Sequence, residues 1–113
     1  MSASLIVERR PRRIYWHRFM GTPKPPRSWN VGRPSVYGNE FKLKDCDCRF
    51  HPGGGGSHTR EEAVQLFRDW QVPDLLKRPN GIVELRGYDL ICPGCHPDEK
   101  PCHADVLLEL ANR

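Results

Sequence analysis

Four glycines in a row, residues 53–56 within "KDCDCRFHPGGGGSH", constrain the fold of this chain more than any other feature. Glycine loses more conformational freedom on ordering than any other residue, so four together have no place inside a helix or strand. Residues 44–58 are therefore a loop, and they read as a flexible insertion. A glycine-rich loop leading into a helix also invites a phosphate-loop reading. That reading fails on chemistry, because the Gly-Lys-Ser/Thr ending that supplies the phosphate lysine and the magnesium hydroxyl is missing. Glu61 and Glu62 would also repel an anion there.

After the loop the helix signals are clear. Thr59 and Glu62 form an S/T-x-x-E capping box. Ala63, Leu66, Phe67 and Trp70 recur at helical spacing and predict one apolar face, with Pro73 ending the helix. "PDLLKR" adds one turn, and Pro-Asn-Gly at 79–81 is a turn signal. "IVEL" and "YDLIC" read as short strands on either side of Arg86 and Gly87. A last helix is expected over 102–111, burying Ala104, Leu107, Leu108 and Ala111. Before the loop, "SLIVERR" and "RIYWHRF" have strand character, and "MGTPKPPRS" is a loop because its prolines remove amide donors. "WNVGRPSVYGNEF" reads as a strand end and tight turns. This order predicts one small α/β or α+β domain over 1–113: a sheet with two main helices and a cysteine-rich loop before the second. Loops that leave strands and enter helices are where such folds place ligands.

A chain of 113 residues can bury a modest core, and eleven prolines with ten glycines imply much loop. Nothing approaches the apolar run a membrane-spanning helix needs, so no membrane partner is expected. "MSASLIVERRPRR" places charge after a very short apolar run, the reverse of a secretory signal. A cytoplasmic location follows as the expectation. There the five cysteines would be reduced, as metal ligands, buried thiols or reactive groups rather than disulfides. Charge is uneven: residues 1–33 carry a net +7 and the other 80 a net −3. A basic segment over 1–28 that includes Arg9, Arg10, Arg12 and Arg13 suits nucleic acid, and equally suits a solvated face.

Three blocks in order, "VGRPSVYGNEF", "TREEAVQLFRDW" and "ELRGYDLIC" with "PCHADVLLELAN", resemble a family of small phage and bacterial proteins known only as domain-of-unknown-function family 4326. The resemblance covers roughly 29–113. It implies a set of marked positions but no activity. Glu40 stands where the family usually has proline, and 44–58 looks like an insertion that brings Cys46, Cys48 and His51. The cysteines of the last block are spaced Cys-x-x-Cys rather than Cys-x-Cys.

That last block, "ICPGCHPDEKPCHADVLLELANR", carries most of the chemistry. Cys92 and Cys95 have the knuckle spacing that brings two thiolates to one zinc, with Cys102 and His103 able to join them and Cys46 and Cys48 a further pair. Alternatively Cys92 is a buried strand residue and the others are incidental. Cys102 follows Pro101 and opens a helix, where backbone amides lower a thiol pKa, so Cys102 with His103 is also a candidate catalytic pair. Arg33, Ser35 and Asn39, among the turn glycines of "GRPSVYGN", are candidate phosphate ligands. The expected partner is a nucleotide or other phosphorylated small molecule, with zinc as the cofactor. Two alternatives stand beside it: a zinc-stabilised nucleic-acid-binding module, and a phage protein that docks on a host protein through Trp16 and Trp29.

Overall fold

The computed structural model describes residues 10–33, 35–93 and 101–113. Three short parallel strands form the sheet: β1 (Arg13–Ile14), β2 (Ser28–Asn30) and β3 (Asp89–Ile91), with β3 in the centre. Ile14 and Asn30 both register with Ile91. The central strand is buried throughout, as a strand with neighbours on both edges must be. Its amides serve both sides: Leu90 N–H donates to the Arg12 carbonyl and Asp89 N–H to that of Arg27. "SLIVERR" lies outside the described residues apart from Arg10. "RIYWHRF" is strand only over its first two residues. The last bond of this ladder is a long one, from Cys92 N–H to the Ile14 carbonyl at 3.4 Å.

Among the described residues the helical layer is built from α-helices and one π-helical turn. α1 (Arg60–Leu66) starts at the predicted capping box, with Glu62 N–H donating to Thr59 Oγ1 and Thr59 N–H to Glu62 Oε1. It does not end at Pro73. A π-helical turn, Phe67–Gln71, passes directly into α2 (Val72–Leu76). Pro73 falls in the first turn of α2, directly after the π-helical turn, so the helix runs on through a residue that supplies no amide hydrogen bond. The wide turn also advances the buried face. Ala63 and Phe67 are buried as expected, but Gln71, Val72 and Leu75 follow them inward and Trp70 is turned out, 46% exposed. α3 (His103–Ala111) buries Ala104, Leu107 and Ala111, and also His103 and Val106.

"IVEL" is not a strand. Val83 N–H bonds the Gly81 carbonyl across Ile82, whose φ is 67°, and Val83–Leu85 then forms one 3-10 turn. That γ-turn conformation is costly for a β-branched residue. Ile82 is held in it by a buried side chain and by Tyr37, whose hydroxyl accepts the Ile82 amide and donates to Glu84. Phe41, Phe67, Leu85, Leu90 and Leu107 fill the core between sheet and helices. The structure is thus a small α/β arrangement with its helices packed on a three-stranded sheet. Among the described residues no helix is long and apolar enough to cross a membrane.

Candidate metal and anion site

Because β2 and β3 are parallel neighbours, the chain leaves both at the same edge of the sheet. Val31, Gly32 and Arg33 follow β2, and Cys92 and Pro93 follow β3. Val31 N–H donates to the Ile91 carbonyl at 2.9 Å and holds the two exits together. The start of α3 meets them there. Between these pieces lies a cavity of about 120 Å³, lined by Arg33, Lys42, Arg60, Cys92, Cys102 and His103 among others. Strand ends of a parallel sheet are the expected place for a ligand.

Cys92, Cys102 and His103 are all buried, and their ligating atoms lie within 4.8 Å of one another. This group could hold a metal ion. His103 Nε2 sits 2.8 Å from the Val31 carbonyl oxygen. A carbonyl only accepts, so Nε2 carries the hydrogen, and the Nδ1 lone pair faces Cys102 Sγ at 3.8 Å. A backbone partner that fixes the tautomer in this way is typical of a metal-bound histidine. The same arrangement lets Nδ1 take a proton from the Cys102 thiol. Cys102 is the N-cap of α3, in extended conformation, and its side chain makes no capping bond. Helix geometry therefore does not dictate where the thiol goes. Cys95, the fourth candidate of this block, lies outside the described residues.

The predicted phosphate ligands divide. Arg33 is exposed at the cavity, with Nη1 donating to the Asn39 carbonyl at 2.6 Å. Gly38 makes that turn possible, since a Cβ there would come within 2.9 Å of the Arg33 backbone. Asn39 uses its side chain for the fold: Nδ2 donates to the Ala63 carbonyl and Oδ1 accepts from Phe41 N–H. Ser35 Oγ is buried with no hydrogen-bond partner among the described residues. Lys42 and Arg60 were not foreseen. They flank the loop at 44–58, and only closure of that loop brings them to the strand ends.

Cys46 and Cys48 do not join Cys92. They form a second group that could hold a metal ion, with His51 and with His58, which the sequence reading passed over. Burial raises the Cys48 thiol above its usual pKa, reinforced by its hydrogen bond with Cys46. The basic segment is only partly available. Arg9 lies outside the described residues, while Arg10 and Arg12 are exposed. The Arg13 side chain is 6% exposed and pairs with Asp105 of α3 at 3.3 Å. Trp16 and Trp29 are half-buried: the Trp16 indole donates to the Thr22 carbonyl, and Trp29 packs edge-on against Tyr37 and Tyr88.

A family model described as "Domain of unknown function (DUF4326)" matches residues 14–113. The chain is 32% identical over 98 residues to an uncharacterized 12.4 kDa protein in the nrdA-td intergenic region of Enterobacteria phage T4, covering 74% of this chain and 83% of that protein. No solved structure matches.

Proposed function

The chain belongs to the family of unknown function DUF4326, and we propose that it binds a small phosphate-bearing ligand, of the nucleotide class, beside a zinc ion held by Cys92, Cys102 and His103. One observation carries this reading. The same cavity is lined by three cationic side chains, Arg33, Lys42 and Arg60, and by the Cys92–Cys102–His103 group, with no carboxylate among its described lining. Lys42 also pairs with Asp47 at 3.8 Å, and the cationic side chains at the cleft give it a positive character that suits a polyanion. Arg33 adds a planar fork that suits phosphate oxygens. The cleft is small, about 120 Å³, and suits a phosphoryl group better than a whole nucleotide. The remainder of a nucleotide would lie outside, over Arg33.

Calorimetric titration with inorganic phosphate, pyrophosphate and nucleoside 5′-diphosphates tests the reading. Binding should strengthen from phosphate to diphosphate. Arg33→Ala and Lys42→Ala should each weaken it by roughly tenfold, about 1.4 kcal/mol. Absence of binding by all three at millimolar concentration removes the phosphate reading. Metal analysis of Cys102→Ser addresses the other half, which predicts the loss of one zinc per chain.

A further inference from the structure

We infer that Cys46, Cys48, His51 and His58 form a separate, four-coordinate zinc site that builds the loop at 44–58. The site shares no residue with the Cys92–Cys102–His103 group, so its test reads different thiols. The four ligating atoms lie within 4.8 Å of one another. Two separations fit a tetrahedral ion closely. Cys48 Sγ is 3.4 Å from His51 Nδ1 and 3.5 Å from His58 Nε2. Bonds of about 2.3 Å to sulfur and about 2.05 Å to nitrogen, at the tetrahedral angle, require about 3.6 Å. Two thiolates with two imidazoles is a zinc donor set, and four protein ligands make a closed, structural centre.

The loop is shaped around these atoms. Cys46 and Gly56 exchange backbone hydrogen bonds of 2.8 and 3.0 Å, closing the ends of the turn. Gly53, Gly54 and Gly55 have φ of 93°, 90° and 81°, a region that only glycine enters freely. Gly56 is needed for a different reason: a Cβ there would collide with the His51 ring. The four glycines thus fold the chain back so that His58 returns to Cys48. Lys42 N–H also points at Cys46 Sγ, at 3.3 Å, as backbone amides do toward a metal-bound thiolate.

Once closed, the loop packs on the body of the domain. Phe50 stacks on Phe41 and meets Trp70 edge-on, and Arg49 forks onto Glu40. Phe41 and Lys42 line the cleft, so this metal would hold one wall of it.

The experiment is metal analysis of the purified full chain, with cobalt substitution and mass-spectrometric mapping of thiol alkylation before and after chelation. Cys48→Ala and His58→Ala should each remove one equivalent of zinc, while in Cys102→Ser the chelator-sensitive protection of Cys46 and Cys48 against alkylation should remain. Cobalt at this site should show the intense visible absorption of a tetrahedral ion with thiolate ligands. In the unaltered protein Cys46 and Cys48 should resist alkylation until zinc is removed, a measurement that stands even if a variant does not fold. Alkylation of Cys46 and Cys48 that is indifferent to chelation would overturn the inference. So would a zinc content unchanged in folded Cys48→Ala and His58→Ala.

Discussion

Tyr37 shows how much one side chain carries. It is fully buried, and its hydroxyl both receives the Ile82 amide and donates to Glu84. Burial, with the Glu84 hydrogen bond second, pushes its pKa up to about 12 from an ordinary 10.0. The fold therefore binds this proton more tightly than the unfolded chain does. The associated stability is fully present below pH 10 and is lost as the pH rises toward 12. Urea unfolding at pH 8, 10 and 11.5 should show that decline in the unaltered protein. In Tyr37→Phe this component of the decline should vanish, and stability near pH 7 should fall by about 1–2 kcal/mol, because the Ile82 amide loses its acceptor. A variant as stable as the parent would mean that the γ-turn at Ile82 does not depend on Tyr37.

At the scale of elements, two helix and loop ends make opposite predictions about sequence locality. The α1 capping box is complete within four residues. Glu62 is held below its usual carboxylate pKa, first by the Thr59 amide and then by its hydroxyl, so its contribution is present above the ordinary carboxylate range and fades as acid protonates it. Thr59→Ala should cost about 1 kcal/mol, read from chemical denaturation at neutral pH. The loop at 44–58 is the contrasting case. If the glycines were a plain linker, deleting two of them would cost a fraction of a kcal/mol, because loop closure depends weakly on length. With three left-handed glycines and the Cys46–Gly56 pairing in place, we expect the deletion to abolish the zinc equivalent of that loop. Retention of full zinc content and an unchanged thermal midpoint would restore the linker reading.

For the whole molecule, the core is small and much of the chain is loop, so bound groups should account for a large share of stability. A strong chelator should lower the thermal midpoint by roughly 8 °C or more, the equivalent of about 2 kcal/mol for a domain of this size. A saturating diphosphate should raise it, since ligand at a hundredfold excess over Kd adds about 2.7 kcal/mol of stability. The two effects should be coupled, since Lys42 and Phe41 stand between the closed loop and the cleft. A midpoint that ignores the chelator would show that neither cysteine group holds metal in the purified protein.

What the sequence determined by itself was local. The capping box placed the start of α1, the glycine and proline runs placed the loops, and the apolar spacing of Ala104, Leu107, Leu108 and Ala111 placed the inner face of α3, on which Leu108 is only partly buried. Each of these rests on residues a few positions apart. The end of the first helix was misread because Pro73 usually stops a helix, and only tertiary packing of Gln71, Val72 and Leu75 selects the π-turn that carries the chain through it. Partnership among the cysteines was decided in the same way. Cys92 and Cys102 meet because a parallel strand end and a helix start converge, while Cys46 and Cys48 turn to His58, ten residues beyond Cys48, through glycines whose left-handed conformations leave no periodic signal. The three cations of the cleft come from separate parts of the chain. Spacing along a sequence reports which groups can meet across one turn; which distant groups do meet is set by the closure of the sheet and the burial of the core.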